Sequence, residues 1–171
     1  MKILPVILLL ICLSACKKKD TTPTIDFGPG QGYSSRNAQN IQTGEQDPTD
    51  WTLDGSWNEQ EKALFSSLPV DLNSSVQGSG AVRGLYPNPA ATAAKLTIEA
   101  QSTASLHLII VDKKYQVLSE AAPSIARSSH TFAFDLAAQG LQKGQLYRLY
   151  YVLYNGNTLY YKGHGDIKMF D

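Results

Sequence analysis

Cysteine is nearly missing from this 171-residue chain, and both copies, Cys12 and Cys16, fall close to its start. Beyond residue 16 no disulfide, zinc–cysteine site, redox pair or thiol nucleophile can form, so stability there must come from a packed core. No sign of charge dominates either. Fifteen Lys and Arg balance fifteen Asp and Glu, without a long basic stripe, which argues against a nucleic-acid partner. The longest apolar run, Ile3 to Leu13, is shorter than the ~20 residues a membrane-spanning helix needs. A Gly-x-Ser-x-Gly nucleophile elbow is absent. Glu45, Asp47, Asp50 and Asp54 lack the D-x-D-x-D-G spacing of an EF-hand loop. Gly28-Pro29-Gly30-Gln31-Gly32 lies in a polar stretch, outside the strand-to-helix setting of a phosphate loop.

What is present begins at Met1-Lys2, a short positive start ahead of the apolar run, which ends in Leu13-Ser14-Ala15-Cys16. This is the build of a signal peptide over residues 1–15. The four closing residues resemble the lipobox of bacterial lipoproteins. That resemblance implies cleavage before Cys16 and a diacylglycerol on its sulfur, making the membrane a partner through covalent lipid. A conventional secretory peptide with an incidental cysteine is the alternative. Lys17-Lys18-Lys19 reads as a solvated stretch attracted to anionic headgroups. In lipoproteins of the phylum Bacteroidota a charged cluster after the cysteine marks export to the cell surface. The likeness implies an outer-membrane lipoprotein with surface exposure, although three lysines stand here where acids are usual.

From residue 16 to residue 50 the chain is polar, with only scattered apolar residues such as Ile25, Phe27 and Ile41. Such a segment buries too little apolar surface to offset its ordering entropy, which predicts a flexible, disordered tether with a typical end-to-end distance of ~30–35 Å. Residues 51–81 hold a short helix and a connecting segment. Ser56 and Glu59 stand in capping-box relation, Trp57, Leu64, Phe65 and Leu68 recur at helical spacing, and Pro69 stops the helix near Ser67. The apolar stripe serves either to cover a neighbouring core or to dock a partner.

Residues 82–171 carry the other period. Leu96, Ile98 and Ala100 alternate with polar residues, Leu106 to Val111 is a nearly continuous apolar run, and Phe132, Phe134 and Leu136 alternate again. Asn155-Gly156 sits between two apolar stretches, as a type I′ hairpin turn requires. Short strands at regular intervals predict an all-β antiparallel, Ig-like sandwich of about seven strands. Tyr86-Pro87-Asn88-Pro89-Ala90, Phe134-Asp135-Leu136 and the stretch from Gly144 to Tyr147 resemble the carboxy-terminal β-sandwich domains of type IX secretion cargo in Bacteroidota. The likeness covers roughly residues 82–171 and implies the fold, since a lipidated protein needs no second sorting signal. Tyr115 departs from it, standing where that hairpin usually has glycine. Asp50-Trp51-Thr52, Trp57-Asn58-Glu59 and the closing Gly-His-Gly-Asp resemble a group of Bacteroidota lipoproteins without an established activity.

Catalytic candidates are sparse. Ser129, His130 and Asp135 could compose a triad only if neighbours on a strand shared a face, which they do not. His107 is expected on the polar face of its strand. His164 and Asp166 would share a face and offer two metal ligands without a third, and glycines beside them suggest a bulge. No catalytic residue, metal or cofactor is therefore assigned. Six tyrosines crowd one hairpin: Tyr147, Tyr150, Tyr151, Tyr154, Tyr160 and Tyr161. An Asn155-Gly156 turn would set Tyr151 opposite Tyr160 and Tyr150 opposite Tyr161. Cross-strand aromatic packing accounts for these tyrosines on the buried side of the sheet; a sandwich leaves its other side open, so the alternative is that Tyr150, Tyr151, Tyr154, Tyr160 and Tyr161 supply a candidate binding face for a protein or a sugar. The chain reads as a non-enzymatic, membrane-anchored envelope module contacting another envelope protein. The alternative is a glycan-binding module of an outer-membrane saccharide system.

Overall fold

A computed structural model describes residues 22–171; the signal peptide, Cys16 and the lysine cluster lie outside them. Eight strands follow one short helix, α1 (Glu59–Leu64): β1 (Gly80–Tyr86), β2 (Ala93–Ala100), β3 (Ala104–Val111), β4 (Val117–Ala121), β5 (Ser124–Ile125), β6 (Ser128–Asp135), β7 (Leu146–Asn155) and β8 (Thr158–Lys168). The larger sheet runs β4-β3-β7-β8, with β5 also on β3, and the smaller runs β1-β2-β6. Every named pairing is antiparallel. The fold is an all-β sandwich, as the strand spacing predicts.

Alternation places the core. Leu96 and Ile98 of β2 meet Leu106, Leu108 and Ile110 of β3 and Leu149, Tyr151 and Leu153 of β7 between the sheets. The apolar run of β3 has a second purpose. Its other face, with Ile109 and Val111, joins Tyr150, Val152 and Leu159 in a separate core closed by Ile25, Trp57, Phe65 and Leu72. The large sheet is thus covered on both sides, which is why its central strands carry little polar residue content.

The outer cover includes part of the segment expected to be a free tether. Ile25 is only 2% exposed, and its N–H donates to the Lys113 carbonyl at 2.9 Å. Residues 22–54 are an arm laid on the sandwich. Ordering is offset by hydrogen bonds to the sheet edge and by apolar surface supplied by the sheet, neither of which the arm's own composition reveals.

Two local expectations are corrected, the helix start and the last hairpin. The helix begins later than its first capping signal, because Asn58 and Glu61 form the reciprocal box (3.0 and 2.8 Å) in place of Ser56 and Glu59. Its stripe covers the protein's own core: Trp57 stacks on Phe65 and meets Tyr150 edge-on, with centroids 5.4 and 5.5 Å apart. At the last hairpin Asn155 pairs with Thr158, leaving Gly156-Asn157 as the turn. Only Gly156 there takes a positive φ, of 55°, and the ladder slips by one residue after Leu153. Tyr151 consequently faces Gly163 and Tyr150 faces His164. Tyr115 does adopt a positive φ, 61°, beside Asp112, whose carboxylate accepts the Lys114 and Gln116 N–H groups.

Candidate functional site

The central tyrosines of the hairpin are packed inside the fold. Tyr150 and Tyr151 are 0% exposed, the first under Trp57 and the second between the sheets. Tyr151 stacks on Tyr161 with planes 7° apart and donates its hydroxyl to the Thr52 carbonyl at 2.7 Å. Tyr160 and Tyr161 pack against the inner core and Tyr154 against the outer one. Packing thus takes up Tyr150 and Tyr151, and the arm and α1 occupy the side of the sheet that a bare sandwich would expose, while Tyr154, Tyr160 and Tyr161 are half-buried.

Chemistry gathers instead along the outer edge of β8. A free strand edge exposes unpaired N–H and C=O groups, and here they are met one by one. Gln77, Asp54, Trp51 and Ala90 donate their N–H groups to the carbonyls of Leu159, Lys162, His164 and Lys168. The Asp166 N–H donates to Asp50 Oδ1 (2.8 Å) and the Lys168 N–H to Asn88 Oδ1 (2.9 Å). Gly163 and Gly165 form a flat floor for this docking. A Cβ at Gly165 would lie 2.3 Å from the Trp51 ring, and one at Gly163 would strike the Thr52 carbonyl and the Tyr151 hydroxyl. The ladder is regular at this point, so these glycines serve a close chain approach rather than a bulge.

Asp166 and His164 do share a face, but each is engaged separately. Arg148 holds Asp166 through Nε and Nη2, both at 2.7 Å, and donates from Nη2 to the Asp26 carbonyl beneath the Phe27 ring. Burial pushes the Asp166 carboxyl upward and the guanidinium opposes that push. Asn88 donates Nδ2 to the carbonyls of Ser34 and Asp166, tying arm to strand. Asp50 also accepts the Ser34 N–H at 2.7 Å. Burial first, then the nearby Asp166 carboxylate, raises Asp50 to about 7 from 3.8.

A pH dependence follows. An unfolded chain ionises Asp50 near pH 4, whereas the folded one keeps the proton to about pH 7. The folded state holds this proton across that window, so the contribution of Asp50 to stability is full below pH 4 and is lost as pH rises to about 7. The contribution lost is on the order of 4 kcal/mol. Urea midpoints from pH 4 to 8 should fall through this range in the wild type and lose most of that slope in Asp50→Asn. An unchanged slope in the variant rules Asp50 out as the source.

Asp54 Oδ2 accepts from His164 Nδ1 (2.8 Å) and from the Trp57 indole N–H (2.8 Å). Lys162 reaches over Trp57 to the Gly55 carbonyl and to Asn73 Oδ1. These groups border an open cleft of about 360 Å³ lined in part by Thr52, Asp54, Trp57, Glu61 and His164. Nothing in the sequence pattern pairs Asp54 with His164, since 110 positions separate them. The other candidates lie apart. His107, expected on a polar face, is buried edge-on against Phe65 and bonds Glu120. His130 bonds the Ala126 carbonyl, and Asp135 accepts the Ala138 N–H, so Ser129, His130 and Asp135 do not assemble. Among the described residues no three His, Cys, Asp or Glu side chains are grouped to hold a metal, and no helix is long and apolar enough to cross a membrane.

No family model matches the chain. No curated protein matches it either. Among solved structures, one described as "Crystal structure of putative beta-galactosidase from bacteroides fragilis" is similar over 56% of this chain, at 15% identity and a TM-score of 0.36. This chain spans 15% of that one, and at that score the likeness carries no argument about function.

Proposed function

We propose that this protein is a lipid-anchored outer-membrane envelope module, exposed at the cell surface, that works without catalysis as an interaction or structural unit. The observation that carries this reading is the short join between anchor sequence and fold. About nine residue steps lead from Cys16 to Ile25, the first described residue whose side chain is buried in the sandwich. Even fully extended they span at most ~30 Å. A lipid on Cys16 therefore holds the sandwich against the membrane instead of letting it range on a long tether. Separate engagement of His107, His130, Asp135 and Asp166 supports a non-catalytic role. Burial of Tyr150 and Tyr151 leaves only the half-buried Tyr154, Tyr160 and Tyr161 to the glycan reading.

The test is the full chain expressed with Cys16→Ala beside it in a Gram-negative host fed an alkyne fatty acid. Wild type should take up the label and fractionate with outer membranes, and the variant should do neither. Equal membrane association of the variant refutes the anchor. Protease added to intact cells then decides exposure: digestion supports the cell surface, and full protection overturns it.

A further inference from the structure

We infer that the end of the sandwich at which the arm enters is the face that rests on lipid headgroups, an inference built on the lipid anchor proposed above. Strand register fixes the two ends. At one lie the turn after β3, the loop between β6 and β7, the loop after β1 and the C-terminus; Ile25 is bonded to Lys113 there, and Phe170 to Ala90 and Gly144. At the other lie the turns 101–103, 122–127 and 156–157.

The two ends differ in chemistry. Phe170 is 61% exposed at the arm end, and Ile41, 60% exposed, sits on the small hairpin whose Arg36 pairs with Asn88. Exposed Val117 opens β4 at the same end. Lys113, Lys114 and Lys143 are exposed among them. The acids here are Asp26, Glu45, Asp47, Asp112, Asp135 and Asp171, most of them engaged: Asp112 by the Lys114 and Gln116 N–H groups, Asp26 by that of Gly28, Asp47 by that of Thr49, Asp135 by that of Ala138, and Asp171 by Lys168 at 3.4 Å, while Glu45 is exposed. Within the far-end turns 101–103, 122–127 and 156–157, Arg127 is the charged side chain, and no large apolar one is exposed. Apolar side chains interleaved with lysines suit the headgroup boundary, where the apolar groups enter and lysine stems reach back to phosphate.

Chain length selects the same end. The sheet is ~30 Å long at ~3.3 Å per residue. The stretch from Cys16 to Ile25 spans at most about that distance, so turning the far end to the bilayer would need all of its reach. The occupant of this face is therefore the bilayer carrying the protein's own lipid.

The experiment uses the mature lipidated protein in vesicles of phosphatidylethanolamine and phosphatidylglycerol. Its anchor sulfur is blocked, so nitroxides can be placed singly through Gln116→Cys and Gln142→Cys at the arm end, and Gln101→Cys and Asn157→Cys at the far end. With nickel chelated on lipid headgroups, the arm-end labels should relax several-fold faster than the far-end pair. Equal or reversed relaxation in protein that floats with the vesicles overturns the orientation alone. Failure to float overturns the anchor itself.

Discussion

A chain beginning at Trp51, without residues 22–50, is expected to lose cooperative folding. Its removal uncovers the outer core at Ile25, takes Asp50 from the buried Asp166 N–H, and takes the Ser34 carbonyl from Asn88. It also strips the Asp26 carbonyl and the Phe27 ring from Arg148. Burial of one isoleucine contributes about 1.5–3 kcal/mol, and each buried polar group left without its partner costs about 1–3 kcal/mol. The sum, on the order of 5–10 kcal/mol, is comparable with the whole stability of a domain this size, about 5–15 kcal/mol. Urea unfolding of residues 51–171 and 22–171, followed by tryptophan fluorescence and circular dichroism, compares them directly. A sharp transition in the shorter chain, with a midpoint close to that of the longer one, would show that the arm is dispensable.

Asp166→Leu should cost about 3–5 kcal/mol, because it leaves the Arg148 guanidinium buried without its counter-charge. The double change Arg148→Met with Asp166→Leu should recover a large part of that loss, since an apolar pair of similar volume removes the stranded charge. The same urea titration reads both. If the double variant is no more stable than the single one, the loss comes from the packing around β8 and not from an unpaired ion.

The sheet was largely legible in the sequence because alternation reports burial directly. Leu96, Ile98 and Ala100 face the core as their spacing predicts, and the unbroken run of β3 reflects its two covered faces. The hairpin register was less so. Asn155 and Gly156 are both turn formers, but Asn155 pairs with Thr158 and the register shifts between Leu153 and Tyr154, which alternation alone does not reveal. The arm was hidden for a different reason. Its order rests on Asp50, Ser34 and backbone groups meeting partners more than fifty positions away in β8 and the loop after β1. Composition measures what a segment can bury by itself, and this one lies against another element. The His164–Asp54 contact was unreadable on the same ground, while Gly163 and Gly165 were a usable signal: paired glycines in a strand interior mark a close-approaching chain as well as a bulge.

The arm also sets an order of events. Its partners Asp166 and Arg148 lie 116 and 122 positions beyond Asp50 and Asp26. Residues that leave the ribosome near the start of the chain thus dock on strands that arrive last. Contacts so distant in sequence form slowly, because loop closure precedes their reward. Until β8 is delivered, the large sheet lacks its edge strand and the arm lacks its floor, so the finished fold can be completed only after the whole chain has emerged.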